Sequence, residues 1–307
     1  MNAPRRPPAR TCVVTGASSG LGRALALDLA AAGWRVVGTV RRPADGEPLR
    51  AASQGRVAPL VLDVRDAAAL AGLARDVGRT LGDRPLDALV NNAGVVVAGP
   101  LEEIDLDRVR EAFDVNVLGA LAVTRALLPL LRREGGRGRV VNVGSISAHV
   151  PAPFLAPYGA SKAALGALSR AMRIELAPTG VDVCVVEPGN HRTDLWRTGI
   201  ASLDVDSPRY GAALRRARDG AARRAAGAAD VGAFVAAVRR LLDDPRPPAA
   251  VVVGRDAAIL SSLRRWLPYA WFETIVRRAV AGSAADARAA SARAVDAPAA
   301  AARGDRW

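Results

Sequence analysis

Lysine is almost missing from this chain. Its 307 residues include 43 basic side chains, and Lys162 is the only one that is not arginine. Aromatic residues are also scarce, at 4%. No Lys/Arg run is interleaved with aromatics to form a base-stacking platform, which argues against nucleic acid as a partner despite a net charge of +13. The arginines are spread along the chain and read as a compositional bias on a solvated surface. The two cysteines, Cys12 and Cys184, each sit in a short β-branched run. They form neither a disulfide framework nor a metal pair, which fits a reducing, cytoplasmic compartment. With His149 and His191 as the only histidines, there is no metal-ligand set. No run of about 18 apolar residues suggests a membrane-spanning helix. Residues 1–10 are rich in Pro and Arg without an apolar core, so they read as a flexible N-terminus and not as a secretory signal.

Half of the residues are hydrophobic, enough to bury a full core at this length. Short apolar runs at 11–15, 36–39, 57–62, 88–90, 140–143, 181–186 and 251–253 are separated mostly by helix-like stretches. Fully apolar strands alternating with helices predict a doubly wound parallel sheet with both faces covered, a three-layer α/β/α domain over 11–255. Residues 194–229 lie beyond a strand end and have weak periodicity, which suggests a lid over the site. Residues 282–307 are Ala, Arg, Asp and Ser with almost no large apolar side chain, and read as a disordered tail.

Lys162 follows Tyr158, one of three tyrosines, by four residues. Chance would place a lone lysine at that spacing about once in a hundred chains. Four residues is one helical turn, so an ordinary i,i+4 contact is the plain explanation. Survival of a lysine amid arginine substitution points instead to chemistry that a guanidinium cannot perform.

Thr15-Gly16-Ala17-Ser18-Ser19-Gly20-Leu21-Gly22 follows the first strand and opens a helix. Glycines there allow a sharp turn and close approach to a pyrophosphate at a helix N-terminus; the alternative is a plain tight turn. Further on come Asn91-Asn92-Ala93-Gly94, Asn116, Ser145, Tyr158, Lys162, and Pro188-Gly189 with Thr193. This ordered set resembles the short-chain dehydrogenases/reductases, in their compact single-domain branch with a Rossmann-type sheet. The resemblance covers roughly residues 11–195.

The resemblance implies an oxidoreductase. Tyr158 would exchange a proton with the substrate oxygen while hydride moves to or from nicotinamide. Lys162, with the positive charge of oxidised nicotinamide, would lower the Tyr158 pKa. Lys162 would also hold the nicotinamide ribose, Ser145 would hydrogen-bond the substrate oxygen, and Asn116 would seat a proton-relay water in a helix interior. Cofactor contacts would come from Gly16, Ser18, Ser19, Gly20, Leu21, Gly22, Asp63, Val64, Asn92, Ala93, Gly94, Pro188, Gly189 and Thr193, with Asp63 at the adenine. Asn91 would tie the central strands together. NAD enzymes tend to place an acid at the end of the second strand. Here that position is Val40, followed by Arg41 and Arg42, so two guanidiniums would grip a 2′-phosphate and NADP is expected over NAD.

Phe154, Leu155, Leu195 and Trp196 would line an apolar substrate pocket. Glu187-Pro188-Gly189-Asn190 and the long C-terminal extension resemble relatives acting on steroids and retinoids, and the resemblance implies a lipophilic alcohol, ketone or aldehyde as substrate. A β-ketoacyl reductase acting on a carrier protein, and a catalytically silent nucleotide-binding sensor or scaffold, are the alternatives. His149 and His191 would line the substrate side. Helices near 105–133 and 157–177 are the faces on which relatives form homodimers and homotetramers. Finally, residues 256–281 form a C-terminal extension in which 259–280 alternate apolar and basic residues. That pattern reads as a capping element or dimer contact, or as a peripheral membrane foot.

Overall fold

The computed structural model describes residues 9–82, 84–132, 137–189, 203, 205–226, 231–268 and 270–274. Seven strands are present: β1 (Thr11–Val14), β2 (Arg35–Val40), β3 (Val57–Val61), β4 (Ala88–Asn91), β5 (Gly138–Val143), β6 (Val181–Pro188) and β7 (Ala250–Val253). They form one parallel sheet in the order β3-β2-β1-β4-β5-β6-β7. The order reverses between β1 and β4, and such a switch point opens a crevice at the carboxyl ends of the strands.

Helices α1 (Gly20–Ala31), α2 (Gly46–Ala52), α3 (Ala67–Leu81), α4 (Leu106–Phe113), α5 (Ala120–Leu131), α6 (Ala156–Leu176), α7 (Gly211–Ala226), α8 (Val231–Asp243) and α9 (Arg255–Trp266) accompany the sheet. One face packs Leu25 and Leu29 of α1 with Phe234, Val238 and Leu241 of α8. The other packs Leu73 and Val77 of α3, Val123 and Leu127 of α5, and Met172 of α6. Full burial of a Leu or Phe is worth about 1.5–3 kcal/mol each, so the helices are held by these stripes. Local signals set their ends: Asp66 caps α3 by accepting from the N–H groups of Ala68 and Ala69, and Gly82 closes it in the left-handed region.

Cys12 and Cys184 are free and buried in β1 and β6, and burial pushes the Cys12 thiol well above its ordinary pKa. Residues 106–131 run as one helix long and apolar enough to cross a membrane, but its Val123, Leu127 and Leu131 are buried in the core. A π-helical turn (Asp114–Gly119) interrupts it. The tail at 282–307 lies outside the described residues; of the expected lid at 194–229, residues 203 and 205–226, which include α7, are described.

Candidate active site

The β1–α1 turn is built so that backbone meets backbone. Gly16 takes φ +65, and a β-carbon there would come 2.9 Å from the Ala93 Cα. At Gly22 a β-carbon would lie 2.3 Å from Asn92 Nδ2 and 2.4 Å from the Gly16 oxygen, so no side chain fits. Asn92 braces the turn: its Nδ2 donates to the Thr15 carbonyl at 2.9 Å and the Gly16 carbonyl at 3.1 Å, and its backbone N–H donates to Thr15 Oγ1 at 2.9 Å. Asn91 does the work expected of it, donating from Nδ2 to Asn142 Oδ1 at 2.8 Å across β4 and β5 and to Thr124 Oγ1 at 2.9 Å.

A cleft of about 370 Å3 starts at this turn. Gly16, Ser18, Ser19, Gly20 and Leu21 line one end, Asp63, Val64, Asn92, Ala93 and Gly94 the middle, and Ser145, Tyr158, Lys162, Pro188 and Gly189 the other end. Gly22 stands behind the turn, where its role is close packing. Thr193 lies outside the described residues, as do Leu195, Trp196 and His191.

The two arginines after β2 part company. Arg41 lines the cleft. Arg42 does not; its guanidinium holds Asp45 in a two-bond pair, Nε to Oδ2 at 3.0 Å and Nη2 to Oδ1 at 2.9 Å. Of the expected pair, Arg41 is the one at the cleft wall. Asp45, in the short 3-10 turn ahead of α2, claims the second, and Arg42 keeps the Asp45 carboxyl below the usual carboxylate range.

Arg65, which the sequence reading passed over, also lines the cleft. It grips Asp63 through Nη2 to Oδ2 at 2.7 Å and Nε to Oδ1 at 3.0 Å, and this contact holds the Asp63 carboxyl low. Only the two-residue spacing from Asp63 hinted at it.

At the far end, Ser145 ends the turn after β5 while Tyr158 and Lys162 project from the first turns of α6; all three are buried. Ser145 hydrogen-bonds the Tyr158 phenol, which opposes a larger effect of burial; the phenol is pushed up to about 12. Burial also lowers Lys162 to about 8, and its Nζ donates to the Val143 carbonyl at 2.8 Å. Lys162 Nζ lies 5.9 Å from the tyrosine ring centroid, and loss of water around the buried phenol is the largest influence on its pKa.

Asn116 lies in the π-helical turn, fully buried. Its Oδ1 accepts the Val95 N–H at 2.8 Å, and its Nδ2 donates to the Val95 carbonyl at 3.0 Å and Ser161 Oγ at 2.9 Å. The wider turn frees backbone groups next to a site, a recurrent use of such turns. Gly94 lets the chain pass here, since a β-carbon would sit 3.1 Å from Asn116 Oδ1 and 3.6 Å from Lys162 Nζ. Ser161 was not singled out in the sequence, being one small residue inside the Tyr–Lys interval.

Phe154, Leu155 and His149 do not line the cleft; Phe154 adopts φ +65 and packs edge-on against Tyr210, 6.1 Å between centroids. Leu155 caps the start of α6. His149 pairs with the buried Glu187, Nε2 to Oε1 at 2.7 Å, a partner that sequence separation concealed.

The sequence profile of the short chain dehydrogenase family matches residues 10–202. The chain belongs to the short-chain dehydrogenase/reductase family. It is an oxidoreductase of the class that acts on alcohol and carbonyl groups with a nicotinamide cofactor. A crystal structure of a short-chain dehydrogenase from Streptomyces avermitilis is 35% identical with a TM-score of 0.72, over 88% of this chain and 98% of that one. The NADPH-dependent 3-dehydrocapnine reductase of Ornithobacterium rhinotracheale is 34% identical over 61% of this chain and 67% of its own length. Retinol dehydrogenase 5 of Mus musculus is 38% identical over 62% of this chain, which spans 59% of that protein's length in the match.

Proposed function

We propose that this enzyme uses NADP to interconvert an alcohol and a ketone or aldehyde on a lipophilic substrate. The observation that carries the reading is the convergence of Ser145, Tyr158 and Lys162 at one end of a cleft whose other end is a glycine turn at a helix N-terminus. The cradle fits a dinucleotide: Gly16 and Gly94 stand where β-carbons would crowd the backbone of Ala93 and the side chain of Asn116, and the free N–H groups of α1 face phosphate. Arg41 at the cleft wall, with Val40 in place of an acid, favours a 2′-phosphate. The NADPH-dependent relative supports the same choice.

Bound nicotinamide supplies the hydride in reduction and accepts it in oxidation, and its oxidised, cationic form favours the Tyr158 phenolate. In reduction Tyr158 gives its Oη proton to the carbonyl oxygen as that oxygen gains negative charge. A phenol held near 12 stays protonated until that moment. Ser145 donates to the same oxygen. Lys162, charged below about 8, lies close enough to stabilise the phenolate left behind. Asn116 fixes the Val95 backbone in the loop after β4 and the Ser161 hydroxyl beside this pair, and water would re-protonate Tyr158. In oxidation the same groups run in reverse.

The retinol dehydrogenase supports a lipophilic substrate. Exposed Leu106, Leu118 and Ile174, on the helices of 105–133 and 157–177, support assembly as a homo-oligomer. The test is NADPH oxidation on a panel of bulky apolar ketones and aldehydes against small sugars, with Tyr158→Phe as control. The reading predicts turnover of apolar carbonyls that the control loses. Turnover of sugars alone, or preference for NADH, would overturn it.

A further inference from the structure

The inner side of α9 is seated in the fold. Ala257 is fully buried, and a β-carbon on Gly189 would lie 2.6 Å from Asp256 Oδ1, so the helix begins against the wall of the cleft. Phe272, 1% exposed, pins the chain that follows. The outer side is apolar. Ile259, Leu263 and Trp266 recur at the spacing of one helical face, and they are 61%, 37% and 80% exposed, with Trp271 at 69%. With Ala258, Ser262 and Leu267, the first three line a shallow groove of about 460 Å3. In sequence the stretch is basic: residues 255–278 contain Arg255, Arg264, Arg265, Arg277 and Arg278 against Asp256 and Glu273, the last two arginines lying beyond the described residues.

We infer that α9 and the turn after it bind the surface of an anionic phospholipid bilayer. Ile259, Leu263, Trp266 and Trp271 enter the boundary between headgroups and acyl chains, and the basic charge of the segment meets the lipid phosphates. An interfacial helix needs an exposed apolar stripe, a basic surround and aromatic side chains at the boundary, and tryptophan suits a place where one end is apolar and the other wet. Charge selects the occupant. A second copy docked on this face would bring two basic segments together, whereas an anionic surface has the complementary sign. The inference does not depend on the proposed substrate.

The experiment uses the full chain, spun with phosphatidylcholine vesicles with and without phosphatidylglycerol, at low and high salt. The wild type is expected to sediment with the anionic vesicles and to be released by salt. Trp266→Ala/Trp271→Ala should lower the partition constant about tenfold or more, while NADPH affinity, read by fluorescence, stays unchanged and reports an intact fold. Failure of the wild type to bind anionic vesicles overturns the inference, as does undiminished binding by the double variant. Leu263→Glu adds a third arm: a fall in solution mass by light scattering would show that a second copy covers the face, and would overturn it too.

Discussion

Lys162 Nζ lies 5.9 Å from the centroid of the Tyr158 ring and donates at 2.8 Å to the carbonyl of Val143, the last residue of β5. The contact anchors a helix residue to the end of a central strand, so the ammonium is set by the sheet. Its charge stands beside the phenol without a direct hydrogen bond to the ring. Lys162→Arg should therefore fail although it keeps the charge, because the planar fork cannot occupy a site shaped for a point cation. We expect kcat/KM for carbonyl reduction to fall about 100-fold or more, with a lowered thermal midpoint from crowding a buried site.

The pH dependence of reduction follows from the same pair. Below about 8 Lys162 is charged, and with Tyr158 pushed up to about 12 the phenol carries its proton. As pH rises through 8 the ammonium is lost first. Reductive kcat/KM should be flat on the acid side and decline towards tenfold per pH unit above 8. A plateau extending to pH 10 would show that Lys162 charge is not required.

Arg41 and Arg42 separate cleanly by mutation. Arg41→Ala should weaken NADPH binding by about 10–100-fold, the worth of a charge-assisted hydrogen bond, and leave NADH nearly unchanged. Arg42→Ala should leave both within about twofold, since that guanidinium is committed to Asp45 and exposed pairs contribute little. Fluorescence titration of the two variants with both cofactors checks this.

Gly22→Ala tests the turn itself. The new methyl would meet the Asn92 amide and the Gly16 carbonyl, and the clash cannot be relieved without moving the backbone. Overpacking of this kind costs about 1–3 kcal/mol. Urea unfolding should show that loss, and NADPH affinity should fall with it.

Seven apolar runs were enough to read the sheet, because strands buried on both faces carry no polar alternation and stand out between helices. The glycine turn was legible from its glycines and Lys162 from being the one lysine, four residues after a tyrosine; Ser145 was legible only through the family resemblance. The π-helical turn around Asn116 was not: one wider turn leaves the apolar periodicity of 106–131 almost unchanged. Nor was the choice between Arg41 and Arg42. Both follow β2, and it is the geometry of the Asp45 turn that takes one of them. The His149–Glu187 pair joins residues 38 apart, a contact that only the ends of β5 and β6 bring about.

The single lysine has a further consequence. Lys162 is 4% exposed and is the only side-chain amine in the sequence. Arginine resists acylation, so reagents such as acetic anhydride find one side-chain amine, and it is in the wall of the cleft. The speed at which that amine is labelled, read by mass on the peptide that carries Lys162, then becomes a clock for opening of the cleft without substrate or engineered probe.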